Sequence, residues 1–332
     1  MGIKNLLQFL SKYPDLIKEK TTNDFYGKKI AIDISLLIYQ IVIGIRSSGS
    51  DLTNKKGDIT SHIFGLFNKT LAFLEIGIIP IYVFDGKPSE LKNKTLISRR
   101  KKKDKALEKL AKADNNIDRI RYFKRSFRIT KEHLDQCREL LNTIGIPYID
   151  AEEEADSELS YLCKSNMVYA VQTEDMDILT FGSPRIIKNL SSNKKKPIEI
   201  ELANILDKLN FTYEQFIELC VLFGCDYCPN IIGINFSKIF EIYCKHKNIE
   251  NTLIEIKATG YSCSNILHYI NAKNYFMNPI HKQIHQHQLK IKKPRISKII
   301  KLLVKKYGFS YNKTINKITK LNQFYYRFKN IL

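Results

Sequence analysis

The stretch IPIYVFDGKP, residues 79–88, is an apolar run that ends on Asp85 and turns at once through Gly86 and Pro88. So short an apolar run, closed by turn formers, reads as a strand. KKIAIDIS (28–35) repeats the pattern with Asp33 at its end, and VYAVQTEDMDIL (168–179) repeats it with Asp175 and Asp177. In an open parallel α/β sheet, ligands gather outside the carboxyl ends of the strands, so acids placed there can converge. DAEEEADSEL (150–159) adds Glu154 and Asp156, and LFGCDYC (222–228) adds Asp226. Seven carboxylates with no lysine inside the cluster would repel one another. Divalent cations relieve that repulsion, and hard cations such as Mg²⁺ prefer oxygen ligands. The first expectation is a metal site.

Charge narrows the partner. The chain has 332 residues, with 54 Lys and Arg against 34 Asp and Glu, a net charge of +20. An acidic metal site inside so basic a protein suggests a polyanion brought to acid-held cations, nucleic acid first and an acidic membrane surface second. The charge is concentrated: residues 92–131 hold 16 basic and 4 acidic side chains and neither Pro nor Gly. That segment reads as helix, either a solvated charged one or an arch over nucleic acid. Hydrophobic content of 44% and charged content of 27% are those of a soluble globular protein. The longest apolar window, residues 30–45, is broken by Asp33, Ser35 and Gln40, so no membrane span is expected.

Seven cysteines, an odd number, argue for reduced thiols and an intracellular setting. Cys225 and Cys228 form one CxxC with no second pair at zinc spacing, which favours buried thiols over a metal role. His281, His285 and His287 invite a zinc reading; without a nearby thiolate or carboxylate, a solvated or phosphate-facing helix is the better one.

Along the chain, residues 1–85 read as α/β: an amphipathic N-terminal helix, a strand to Asp33, a helix from Leu36 and a strand to Asp85. A polar loop spans 47–58. Residues 132–228 resume the α/β pattern, with a helix ending near Ile144 and a short strand IPYID. Residues 229–332 read as mostly helical, with the turn NIIGINFSK (230–238) near their start.

Seven segments in order, MGIKNLL, IAIDISLLIYQ, TSHIFGLF, PIYVFDGKP, EEEADSEL, YAVQTEDMDILTFGSP and LCVLFGCDYC, resemble the flap endonucleases, structure-specific 5′ nucleases of the Rad2/XPG family. The resemblance runs from residue 1 to about 320. It implies an α/β fold, a central mixed and mostly parallel sheet flanked by helices (a PIN-like 5′ nuclease fold). A helical arch and a C-terminal helix–two-turn–helix region would complete it. The implied regions are an N-terminal nuclease region at 1–106 and the arch at 86–131. An internal nuclease region at 132–228, the duplex-binding region at 229–265 and a helical region at 266–332 follow.

Carried over by position, Asp33, Asp85, Glu154 and Asp156 would hold one Mg²⁺, and Asp175, Asp177 and Asp226 the second, with Mn²⁺ able to substitute. Two such cations about 4 Å apart can activate water on one side and stabilise the departing oxygen on the other. Asp156 stands where the family commonly has glutamate; its shorter reach suggests a metal-bound water, and Glu158, one helical turn from Glu154, is a possible replacement. Lys92 and Arg99 correspond to the two basic catalytic residues, and seven residues apart on a helix they would share a face. Tyr39 is either a platform for the terminal base or a core tyrosine. Arg46, Lys69, Gly224, Gly233 and Lys238 match DNA-contacting positions, as do Glu154 and Asp226.

Two departures matter. In NIIGINFSK, Gly233 remains but Asn235 replaces the family's second glycine, which counts against the carbonyl cage for K⁺ placed there. Asn tolerates the left-handed conformation better than most residues. At the tail, the fourth and seventh positions from Gln323 are Tyr326 and Lys329, so the sliding-clamp box is absent.

The implied activity is Mg²⁺-dependent hydrolysis of branched or 5′-flapped DNA by a monomer, in replication and base excision repair. It would take place in a nucleus or at a viral replication site. The rivals are a 5′–3′ double-strand exonuclease, a junction resolvase, a 5′ exoribonuclease and a catalytically weak DNA-binding scaffold.

Overall fold

The computed structural model describes residues 2–47, 51–192 and 194–329. Part of the polar loop at 47–58 therefore lies outside the described residues.

Seven strands form one mixed sheet: β1 (Lys18–Glu19), β2 (Lys29–Asp33), β3 (Ile79–Phe84), β4 (Tyr148–Asp150), β5 (Ala170–Gln172), β6 (Arg185–Lys188) and β7 (Ile198–Glu201). The chain divides into two compact units. One comprises residues 1–24, 86–95 and 151–282, the other 25–85, 96–150 and 283–332.

The second unit holds the parallel strands β2, β3 and β4 in that order. All six side chains of β3 are buried, as expected of a strand covered on both faces. The register sets Asp33 opposite Val83, so Asp33 closes β2 while Asp85 follows the last residue of β3. Both acids thus stand at the carboxyl ends of parallel strands. The helix after β2 begins at once, Ile34–Ser47, two residues earlier than Leu36. Its first turn is started by Asp33 itself, whose Oδ1 accepts the Leu36 N–H at 3.1 Å. The basic segment is helical, as two helices, Asn93–Ala111 and Asn116–Ser126. Helix Lys131–Ile144 follows, opened by the Thr130 side chain and closed at Gly145.

In the first unit the order is β1-β7-β6-β5, with β5 and β6 parallel and the other two pairings antiparallel. Helix Ala155–Lys164 carries the acidic turn, and the short helix Asp177–Thr180 follows β5. Helix Tyr213–Phe223, opened by a Thr212–Gln215 capping box, leads to Asp226. Helices Phe236–His246, Ile249–Ala258 and Ile266–Met277 confirm the helical reading beyond residue 229.

One local expectation fails. Residues 281–285 are not helical; His281 stacks on Tyr161, ring centroids 3.8 Å apart, and His285 and His287 stack on each other at 5.7 Å. Asn235 is extended (φ −89°, ψ 158°), and its side chain caps the next helix by accepting the Lys238 N–H at 2.9 Å.

Candidate active site

In the first unit, five of the expected acids share one electrostatic neighbourhood with a lysine. Lys92 closes the turn Glu90–Lys92 and so precedes the Asn93–Ala111 helix instead of sharing it with Arg99. Its Nζ donates to Glu154 Oε2 and lies 4.0 Å from Asp226 Oδ2. The expectation that no lysine sits among the acids is therefore wrong. Burial by itself pulls the Lys92 pKa down; the charges of Glu154, Asp156 and Asp226 outweigh it and hold the ammonium above its ordinary value.

Glu154 is buried at the mouth of the Ala155–Lys164 helix, 6% exposed. Its Oε2 also accepts the Tyr227 hydroxyl at 2.9 Å. Tyr227 is buried, and its phenol is pushed well above the ordinary range by burial and by Glu154, Asp156 and Asp177, so it stays a neutral donor. The acidic turn is anchored from behind: Gly86 N–H donates to the Glu153 carbonyl at 2.6 Å, and the Tyr275 hydroxyl donates to Glu153 Oε2 at 3.1 Å.

Asp175 and Asp177 form a tight turn after β5. The Asp175 N–H donates to Thr173 Oγ1 at 2.9 Å, and the Asp177 N–H to Asp175 Oδ1 at 3.2 Å. Asp177 is 1% exposed, and its carboxyl is raised well above the usual range by burial, then by Asp175, Cys225 and Asp226. Asp226 sits in the bend after Gly224, whose φ of +107° few side chains tolerate. Thr95 Oγ1 steadies that bend by donating to the Asp226 carbonyl at 2.8 Å. On either side, the Cys225 and Cys228 sulfurs lie 3.6 Å apart, both buried, as the thiol reading expects.

Gly2 was not anticipated. Its φ is +88°, and a Cβ there would fall 1.6 Å from Asp175 Oδ1 and 3.1 Å from Asp177 Oδ1. Glu158 is engaged elsewhere: fully buried, it accepts the Lys282 N–H at 3.1 Å. Asp156 is half-buried.

In the second unit, Ser35 Oγ donates to Asp85 Oδ2 at 2.7 Å, beside the Asp33 contact with the backbone of Leu36. Arg99 is half-buried in the Asn93–Ala111 helix. Tyr39 is neither fully buried nor open: its hydroxyl donates to the Lys124 carbonyl at 2.6 Å and its ring lies 6.2 Å from Phe127. Arg46 pairs with Asp51 at 2.7 Å and stacks over Phe123. Lys69 lies over Phe73, and burial lowers its pKa. In the first unit, Lys238 pairs with Glu241 at 3.0 Å, and Gly233 has a φ of +85°.

Among the described residues, no three His, Cys, Asp or Glu side chains stand ready-arranged around a cation position. The donor chemistry nevertheless suits a hard divalent ion. Glu154 Oε1 and Asp177 Oδ1 are buried carboxylate oxygens without a hydrogen-bond partner among the described residues. Leaving such oxygens unpaired is costly, and a hard divalent cation is a partner that oxygens of this kind accept.

Acids at strand ends, a buried lysine among carboxylates and a basic helical segment define a class of phosphate-ester nucleases. The XPG N-terminal domain pattern matches residues 1–106 and the XPG I-region residues 145–226. Flap endonuclease 1 of Nematostella vectensis is 39% identical over 332 residues, covering 97% of this chain and 88% of that one. The solved flap endonuclease-1 of Methanococcus jannaschii superposes with a TM-score of 0.71 at 30% identity, covering 98% and 99% of the two chains. The catalytic core of Rad2 in complex with DNA substrate shares the fold, with a TM-score of 0.74 at 21% identity over 96% and 100%. The chain belongs to the flap endonuclease family of XPG-type nucleases.

Proposed function

We propose that this protein is a structure-specific nuclease that hydrolyses DNA phosphodiesters at 5′ flaps, leaving a 5′-phosphate and a 3′-hydroxyl. The observation that carries the reading is the group of buried Glu154, buried Asp177 and half-buried Asp226 around the Lys92 ammonium, within the family-matching segments.

In this reading Asp33, Asp85, Glu154 and Asp156 hold one Mg²⁺, and Asp175, Asp177 and Asp226 the other. Bound there, the pair supplies activation of water and charge neutralisation on the departing oxygen. Lys92, kept charged by its acids, turns from Glu154 toward the scissile phosphate and offsets its developing charge. Arg99 does the same from the basic helix. The net +12 of residues 92–131 draws in the 5′ single strand. Backbone amides and Lys238 at the start of the Phe236–His246 helix meet duplex phosphates without reading sequence.

The natural setting is DNA replication and base excision repair, in a nucleus or at a viral replication site. Among the described residues, no helix is long and apolar enough to cross a membrane.

The test is a panel of 5′-labelled flap, nick, gap and single-stranded DNA substrates, with matched RNA flaps, in Mg²⁺ and in EDTA. Cleavage confined to Mg²⁺ and strongest on DNA flaps is expected. Equal cleavage of RNA flaps, or none of any flap, would overturn the assignment.

A further inference from the structure

We propose that Tyr227 is a positioning residue: its hydroxyl keeps Glu154 aligned for a divalent cation when Lys92 swings away to the substrate phosphate. The inference rests on the metal reading above and goes beyond it by assigning a role to a residue outside the acid and base sets.

The two oxygens of Glu154 are differently occupied. Oε2 accepts both the Lys92 ammonium and the Tyr227 hydroxyl, while Oε1 is buried and has no hydrogen-bond partner among the described residues. Two donors on one oxygen restrain the carboxylate and leave the other oxygen for a different partner. The donors differ in kind. An ammonium competes with a divalent cation for the same negative charge, and its proposed task at the phosphate takes it off Glu154. A neutral phenol does neither, so it can go on donating while Oε1 binds a cation. Donors of this sort set the orientation of metal-ligating carboxylates, and their loss typically lowers metal affinity or activity by about 10- to 100-fold.

The ring is built to hold that position. Its edge-on neighbours are Phe181 at 6.2 Å and Phe276 at 5.1 Å, with Tyr275 tilted against it at 4.8 Å and Lys92 Nζ 5.4 Å above it. Tyr275 in turn donates to Glu153 Oε2. Two phenols in one aromatic cluster thus brace adjacent members of the acidic turn, and only Tyr227 reaches the expected ligand.

The experiment compares wild type, Tyr227→Phe and Tyr275→Phe. Mn²⁺ binding is followed without DNA by electron paramagnetic resonance, and flap cleavage is followed against Mg²⁺ concentration. Tyr227→Phe keeps the ring and loses only the hydroxyl. It is expected to weaken Mn²⁺ binding at least tenfold and raise the half-saturating Mg²⁺ in step. The cleavage rate at saturating Mg²⁺ should return to within about threefold of wild type. Tyr275→Phe should bind Mn²⁺ as wild type does. In a Glu154→Gln background, Tyr227→Phe should cause no further loss, a comparison that holds even if the variant melts at lower temperature.

Wild-type Mn²⁺ affinity in Tyr227→Phe, or equal weakening by both phenylalanine variants, would overturn the proposal while leaving the metal site standing. Absence of Mn²⁺ binding by wild type would instead remove the metal reading and this inference with it.

Discussion

Lys92 donates to Glu154 inside a group of carboxylates, so a side-chain cation stands where the sequence led us to expect only acids. This makes Lys92 both an internal counter-charge and a candidate catalyst, and the two roles separate on substitution. Lys92→Ala is expected to lower single-turnover flap cleavage about 100-fold, the scale for removing one preorganised donor aimed at developing charge. The same change should tighten divalent binding in the absence of DNA, since Glu154 is released. Weaker divalent binding would mean that the ammonium supports the cation site and does not compete with it.

Asp177 is buried against Asp175 and Asp226, and like charges out of water are costly. Asp177→Asn should raise the melting temperature of the metal-free protein, by about 2 °C for 1 kcal/mol in a chain of this size. It should also abolish the further rise that Mg²⁺ gives wild type. Differential scanning calorimetry with and without Mg²⁺ reads both effects; equal Mg²⁺ stabilisation of variant and wild type would contradict the assignment of Asp177.

Gly2 lies so close to Asp175 that any Cβ overlaps its carboxylate. Gly2→Ala should therefore displace Asp175 and lower flap cleavage by about tenfold or more, a displacement of about 1 Å being costly in such sites. Circular dichroism should remain that of wild type. Full activity in the alanine variant would show that residue 2 yields instead.

His62 lies 1% exposed at the start of the Ser61–Glu75 helix. Its Nε2 meets Gln136 at 2.5 Å, and its Nδ1 is buried without a partner among the described residues. Burial brings its pKa down to about 4, and His133, its ring neighbour at 4.7 Å, is lowered by burial too. Between pH 6.5 and about 4 the unfolded chain takes up a proton that folded His62 refuses, so stability falls as pH drops through that window. A shift from 6.5 to about 4 corresponds to about 3 kcal/mol. Urea titrations of wild type and His62→Gln at pH 7.5, 6 and 5 should show the wild-type loss and a flatter variant.

How much was legible follows from which forces shaped each piece. Strands β2, β3 and β5 announce themselves because burial on both faces demands apolar runs, and the acids at their ends break the pattern visibly. Strands β6 and β7 do not. RIIK has a charge at each end and IEIE alternates Ile with Glu, and buried Glu199 is met by Tyr169, Lys20 and Arg185 from separate segments. Residues 281–285 carry helical spacing but are not helical, and His281 packs on Tyr161 instead, a tertiary contact no local pattern encodes. The acids were readable as a charge pattern. Lys92 among them, Gly2 against Asp175 and Tyr227 on Glu154 were not, since each depends on contacts between separate segments. A tyrosine following Asp226 gives no signal of metal chemistry by itself.

The central claim is that the acids gathered around Lys92, among them Glu154, Asp177 and Asp226, bind divalent cations. Anomalous diffraction from a Mn²⁺-soaked crystal tests it most directly. At least one peak is predicted beside Glu154, Asp175, Asp177 and Asp226. No peak among these side chains, or one bound to other residues alone, would contradict it.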